Sequence, residues 1–505
     1  MYKAYITYVK NIRPAENSDF LNACEVFGNT TIIDKTITED TLVLYLPSDG
    51  QISIEFGEKN NLFRKKDDAG NNIGGFVDPV KRNITAIRLR GNRSDGLVLP
   101  ISCLNYCYTH GDASAELQAG DIINGTLNGH EICCKYIPRT NHRSGNVGGN
   151  KTRKKKVNIA PLFAEHADTE QLVYNLSAFK PGDEIEITLK MHGTSQRTGY
   201  LPVLKGWKVK NKFFQGIVNK YAPSSNLSTF ARKCVDIVMR DATPVYDWAY
   251  VSDTRRTVLE NYNGGYYGSN EFREQHSKTF EGKLWKGETV YYEVVGFTHT
   301  GAPIMAEGNN EKLGKDFVKQ YGKTTIFNYG CEPDGCHDGE LMKMTTNDNG
   351  DKLLSITLRP QSDIYVYRMT MTNEDGDVVE YSPDFMRYRC EQMGVKCVPV
   401  FAKATIDGEG VHIYAPDNEL YGFVHETNNA GDTVKLVAEK YYDGPDPIGK
   451  THIREGVVVR IVNRPEFTAF KHKNFDFKVL SNIAIEQPIE TGAIEKMSDD
   501  EISEL

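Results

Sequence analysis

The sequence has no run approaching the ~20 consecutive apolar residues that a membrane-spanning helix requires. Its opening stretch, Met1–Pro14, also lacks the apolar core of a secretory signal. Cysteine is sparse, 10 in 505 residues, too few for a disulfide-dense secreted scaffold. These absences give the expectation of a soluble, cytoplasmic chain with reduced thiols and no membrane partner. An excess of positive charge is missing too. Sixty Lys/Arg against 68 Asp/Glu leave a net charge of −8, so contact with nucleic acid would have to come from local basic segments. What is present is ordinary for a globular protein, with 39% hydrophobic and 25% charged residues. That balance excludes a collagenous, coiled-coil or wholly disordered chain. The length permits two to four domains.

Residues 1–137 carry short apolar alternations such as Ala4–Val9, Thr41–Leu46, Thr85–Leu89 and Gly96–Leu99, punctuated by turn residues such as Pro47–Gly50. Dense short strands of this kind predict a small β-barrel. Residues 138–156 form a basic linker; from Arg139 to Lys156 there are seven Lys/Arg and no acid. A solvated hinge and a phosphate-backbone contact are both open for it. From 157 to 485 strand-like and helix-like runs alternate, including Ser228–Arg240 and Asn270–Leu284, which predicts an α+β domain. Residues 486–505 read as an acidic tail.

The sharpest chemical signal is Glu184–Ser195. Its first seven residues alternate polar and apolar, a strand with one buried face, and Lys190 shares the polar parity of Glu184, Glu186 and Thr188. His192-Gly193-Thr194-Ser195 then supplies a turn. Alone, this is equally an exposed lysine at a strand end. Four more segments alter that balance. Val290–Gly296 is an apolar strand with one central carboxylate, Glu293, costly unless paired or liganding. Asp363–Arg368 puts Tyr365 and Tyr367 on one strand face, and Arg454–Val462 opens an apolar strand with Glu455. In Phe470–Phe475, Lys471 and Lys473 project to the same side.

In this order the five segments resemble motifs I, III, IIIa, IV and V of the covalent nucleotidyltransferases, the ATP-dependent ligases and capping enzymes. Lys-x-His-Gly-Thr is similar to the RNA ligase form of motif I. The resemblance implies that Lys190 attacks the α-phosphorus of ATP and displaces pyrophosphate to give a lysine–AMP phosphoramidate, with Lys471 and Lys473 at the α-phosphate. A free lysine loses its proton only near pH ~10.4, so cations at the site, including a divalent metal, would favour the neutral nucleophile. Glu293 and Glu455 are the candidates for Mg²⁺ or Mn²⁺, held largely through water. Glu293 is also expected at the ribose hydroxyls, and Tyr367 against adenine with Tyr365 in reserve. The resemblance further puts Thr188, Leu189, His192, Gly193, Arg197 and Arg255 at the nucleotide.

Only 32 residues follow Lys473, too few for a barrel after motif V. The expected barrel lies ahead of motif I instead. Lys10–Pro14, Gly91–Leu97, Leu99–Ser102 and Asp168–Leu172 resemble the Deinococcus/Naegleria type of RNA ligase, with an N-terminal OB domain. That type implies sealing of a 3′-OH RNA end to a 5′-phosphate at duplex nicks. RNA or an RNA-containing duplex is the expected partner, and the chain is expected to act as a monomer. A DNA ligase, a capping guanylyltransferase and a catalytically silent RNA-binding scaffold are the alternatives. The Cys103/Cys107 and Cys331/Cys336/His337 spacings do not form a paired zinc set, and Gly264–Gly268 lacks the context of a phosphate-binding loop.

Overall fold

The computed structural model describes residues 2–66, 72–89, 91–136, 159–163, 166, 169–209, 214–216, 218, 237–239, 242–254, 258–259, 271–296, 298, 304, 343–346, 352–355, 362–448 and 453–479. The basic linker, the acidic tail, Cys331, Cys336, His337, Gly264–Gly268 and most of the expected helix Ser228–Arg240 lie outside them.

The N-terminal region is organised around the strand Leu42–Leu46. It is buried on both faces because it separates two cores: Leu44 and Leu46 pack with Ile6, Ile52, Phe56 and Leu104, whereas Val43 and Tyr45 pack with Val9, Cys24, Val26 and Ile33. It pairs antiparallel with Ala4–Tyr8 and with Leu97–Pro100, and Ile122–Ile123 completes a four-stranded sheet. Lys10–Pro14, Leu21–Val26 and Asn29–Asp34 make a separate three-stranded meander. The expected barrel is therefore met only as sheet-rich structure. No closed barrel forms among the described residues, where the N-terminal strands are divided among separate sheets of two to four strands. Cys103 and Cys107 are free thiols buried in apolar surroundings; burial pushes both thiols up, away from the thiolate a metal would need.

The rest is α+β and carries two sheets. One is seven-stranded, in the order Glu170–Gln171, Thr468–Lys473, Gly456–Ile461, Glu184–Leu189, Val400–Ile406, Gly410–Tyr414, Leu420–His425. Helix Ala430–Glu439 covers it, started by Asn429, whose side chain accepts from the Asp432 N–H. The second sheet has six strands, with Thr243–Asp253, Thr194–Lys208, Glu288–Gly296, Ser362–Thr372 and Val378–Glu380 as its path and Lys396–Cys397 beside Ser362–Thr372. Helix Glu271–Lys278 is shorter than the expected Asn270–Leu284, since residues 279–284 form turns and a bend, and it packs Phe272 into the core. Helix Pro383–Met393 has Ser382 as N-cap, Pro383 in its first turn and Gly394 in the left-handed region as its stop. The chain passes from the first sheet to the second at residues 190–193, between the Glu184–Leu189 and Thr194–Lys208 strands.

Candidate active site

Strand Glu184–Leu189 sends Ile185 and Ile187 into the core, while Glu186 and Thr188 join Lys190 in lining a cleft. Lys190 stays in register past the strand's end because its N–H donates to the Gly456 carbonyl, 3.0 Å. Gly456 is needed there: a Cβ would lie 2.1 Å from the His472 carbonyl oxygen and 2.8 Å from Lys473 Cα. Next door, strands Gly456–Ile461 and Thr468–Lys473 run antiparallel, pairing Val458 with Lys471 and Gly456 with Lys473, so both lysines reach the same cleft.

Glu455 is the electrostatic centre. Its Oε1 lies 2.6 Å from Lys190 Nζ and 3.3 Å from Lys473 Nζ, and its Oε2 lies 3.3 Å from His192 Nδ1. Burial alone would push this carboxyl up. The two ammonium groups and the His192 hydrogen bond outweigh that and hold it well below the usual carboxylate range. The site therefore keeps a buried carboxylate ionised with two lysines on one of its oxygens.

Glu293 reaches the cleft from the second sheet, where its strand is in register with Ser195 on one side and Tyr365 on the other. Gly193 permits that approach. A Cβ at 193 would sit 2.4 Å from the Val294 carbonyl oxygen and 2.9 Å from Glu293 Cγ. Tyr367 lines the cleft, its hydroxyl bonded to His166 Nε2 at 2.7 Å and to Ser195 Oγ at 3.1 Å. Tyr365 does not line it, being packed with Leu189, Met191, Val295 and Val398. Thr188, Leu189, His192 and Gly193 complete the expected set at the cleft.

Two expectations stand apart. Arg197 is buried away from the lining, with Nη2 2.5 Å from Asp253 Oδ2 and its guanidinium over the Phe163 ring. The strand accounts for this: Arg197 lies in the interior of Thr194–Lys208, opposite Asp253 and Tyr291 in register. Arg255 lies outside the described residues.

The structure adds residues that the motifs alone did not single out. Arg273, 1% exposed, donates to the Ser195 carbonyl at 2.9 Å and to Thr194 Oγ1 at 2.5 Å, while Gln196 Nε2 donates to the Arg273 carbonyl at 2.9 Å. It thus fastens the strand that begins directly after the Gly193 turn. At one end of the cleft, buried Glu186 pairs with Arg387 at 2.8 Å. Arg460, Phe467, Lys478 and Asp49 line it as well. His166 and Thr169 come from just before Glu170, where the run Asp168–Leu172 was the available signal.

As a donor set, Glu293 and Glu455 suit a hard cation that retains most of its water, because two carboxylates are too few for a dehydrated site. No cluster of three or more His, Cys, Asp or Glu suited to a metal occurs among the described residues. Nor is any helix among them long and apolar enough to cross a membrane.

No family model matches the chain, and no curated protein matches it. Among solved structures it is similar to Naegleria gruberi RNA ligase with PPi, at 15% sequence identity and a TM-score of 0.46, covering 96% of this chain and 97% of that chain. It is also similar to an apo mutant of that ligase, at 15% identity and a TM-score of 0.47, covering 94% of this chain and 96% of that one. A mutant with ATP and Mn gives 15% identity and a TM-score of 0.46, covering 96% and 98%.

Proposed function

We propose that this chain is an ATP-dependent RNA ligase that joins a 3′-OH RNA end to a 5′-phosphate end at nicks in duplexes. The observation that carries the reading is the convergence of Lys190 and Lys473 within 3.3 Å of one Glu455 carboxylate oxygen, in a cleft also lined by Glu293, Tyr367 and Lys471. The five motif resemblances reach this same cleft.

In the first step the Lys190 Nζ lone pair attacks the α-phosphorus of ATP. A P–N bond forms, the bond to the bridging oxygen breaks, and pyrophosphate leaves. Lys190 is held as a partner of Glu455 beforehand, so the attack requires it to shed a proton and leave that pairing. Lys471 and Lys473 place positive charge where the pentavalent phosphorus gathers negative charge. Tyr367 offers a flat face for the base, and Glu293 an acceptor for ribose hydroxyls. A divalent ion held by Glu293 and Glu455 through water would neutralise phosphate charge. In the second step the 5′-phosphate of the nucleic acid takes AMP from Lys190. In the third, the RNA 3′-OH attacks that phosphate and AMP departs. The N-terminal region, read as an OB-like domain of residues 1–137, and the basic linker 138–156 are the proposed partners for the nucleic-acid backbone.

The test is covalent labelling by α-labelled ATP or GTP with Mg²⁺ or Mn²⁺, after pyrophosphate has discharged any resident AMP. Label from ATP that Lys190→Ala abolishes is expected. Label from GTP alone would make the chain a capping-type enzyme, and none from either would make it a silent scaffold. Sealing of a nicked duplex with an RNA 3′-OH, compared with an all-DNA nick, tests the substrate.

A further inference from the structure

Residues 474–479, directly after Lys473, meet two sets of partners. Asn474 shapes the turn: its Oδ1 accepts from the Asp476 N–H at 2.8 Å and the Phe477 N–H at 3.4 Å, and its own N–H donates to the Glu455 carbonyl at 2.8 Å. Phe477, 2% exposed, presses edge-on against the His192 ring, with centroids 4.8 Å apart and planes at 77°. His192 is the group on Glu455 Oε2, so this turn backs the carboxylate that holds Lys190.

Phe475, Asp476 and Lys478 of the same segment face the N-terminal region. Phe475 lies under the guanidinium groups of Arg88 and Arg93, at 5.7 and 5.3 Å from its centroid. Asp476 pairs with Arg88 at 2.5 Å and with Arg93 at 3.8 Å. Lys478 Nζ lies 2.6 Å from Asp95 Oδ2. Asp95 is itself pinned: its Oδ1 accepts from Ser48 Oγ at 2.5 Å, and its carbonyl accepts from Thr31 Oγ1 at 2.9 Å and the Tyr45 hydroxyl at 3.0 Å.

We infer that residues 474–479 are a latch by which the docked N-terminal region sets the position of His192, and through it the Lys190–Glu455 pair, with Phe477 as the positioning residue. Contacts meant only to hold two regions together could fall anywhere on their interface. The regions also meet elsewhere, as where Tyr174 stacks on Tyr5 at 4.7 Å, but this set falls on the six residues 474–479, whose Phe477 touches His192 and whose Asn474 N–H bonds the Glu455 carbonyl. Undocking Arg88, Arg93 and Asp95, none of which lines the cleft, would free Phe477 to move, and His192 would lose its backing. The catalytic consequence rests on the ligase reading, whereas the structural one does not.

The experiment uses the full chain with Arg88→Ala/Arg93→Ala, Asp95→Asn and, separately, Phe477→Ala and Phe477→Leu. Hydrogen–deuterium exchange is followed over Leu189–Gly193, alongside the kinetics of adduct formation with ATP. The N-terminal variants are expected to raise exchange in Leu189–Gly193 as well as in 474–479. Phe477→Ala should lower kcat about 100-fold, the scale of a ~1 Å misplacement, with little change in KM, and Phe477→Leu should recover most of it. Faster exchange confined to 474–479 in folded variants, with kcat intact, overturns the latch. If the parent chain forms no adduct, the ligase reading falls, and the exchange result still decides the latch.

Discussion

The two regions bury different things. Among the described residues, the N-terminal region places one charged side chain in its interior, Asp95, and its cores are otherwise built of residues such as Leu44, Leu46, Phe56 and Val43. The region of the cleft buries Glu186, Arg197, Asp253, Arg273, Glu288, Arg368, Arg389, Glu455 and Arg460. Most of these ions are paired within that region: Arg389 with Glu288, Arg368 with Glu380, Arg197 with Asp253. A buried ion is tolerated only with such partners, and truncating one side leaves the other stranded. The lesson is that a core of carbon is specified by volume, and a core of ions by who stands opposite whom.

Substitutions and pH press on that contrast, the strongest first. The largest effect is expected from Lys190→Ala, with complete loss of the nucleotide adduct while circular dichroism shows the fold retained. A collapsed fold would mean that the cleft charges are structural before they are chemical. Next is Glu288→Ala. Glu288 is 0% exposed and receives Arg389 through two bonds of 2.8 Å and the Tyr381 hydroxyl at 3.0 Å. A loss of about 3–5 kcal/mol in denaturant unfolding is expected. Leu44→Ala, at the carbon core, should cost about 2–5 kcal/mol. The contrast sharpens with the second change: Arg389→Leu should recover stability in the Glu288→Ala background, whereas no distant change should rescue Leu44→Ala.

Third, burial pushes the His276 imidazole down to about 4, its Nε2 bonded to Ser362 Oγ at 2.7 Å. The unfolded chain binds this proton near pH ~6.5. The contribution is thus fully present above that pH and is lost as pH falls toward 4, amounting to about 3 kcal/mol. His276→Gln should flatten that part of the stability profile. Glu455, held low, acts in its own window. Its contribution is present above the ordinary carboxylate range of ~4.3 and fades only as pH falls through its depressed folded value. Smallest is Arg13→Ala. The half-exposed Arg13–Glu25 pair at 3.4 Å should be worth less than about 0.5 kcal/mol in the same unfolding assay.

The same contrast explains what the sequence disclosed. Period-two runs are carbon patterns, so Leu42–Leu46, Glu184–Leu189, Glu288–Gly296 and Gly456–Ile461 emerge close to where they were expected. That Lys190, Glu455, Lys471 and Lys473 line one cleft follows from short motifs that fix each of them locally on its strand. Arg273 and Arg387 were not legible, since an arginine on a helix looks the same whether it faces solvent or fastens a strand 78 residues away. Arg197 was legible as a residue but not as a position, because its partner Asp253 is fixed only when two long strands pair. Strand density says how many ladders begin but not whether they meet, and among the described residues no closed barrel is seen.

Asp95 carries a consequence for the order of assembly. Its counter-ion, Lys478, lies 383 positions further along the chain. At synthesis rates of roughly 5–20 residues per second, the gap is roughly 20–80 s. Throughout that interval the Asp95 carboxylate has the Ser48 hydroxyl but not Lys478 as a side-chain partner, which favours local opening of the emerging N-terminal sheets. Final consolidation of the first-made region therefore waits on the helical turn that follows strand Thr468–Lys473.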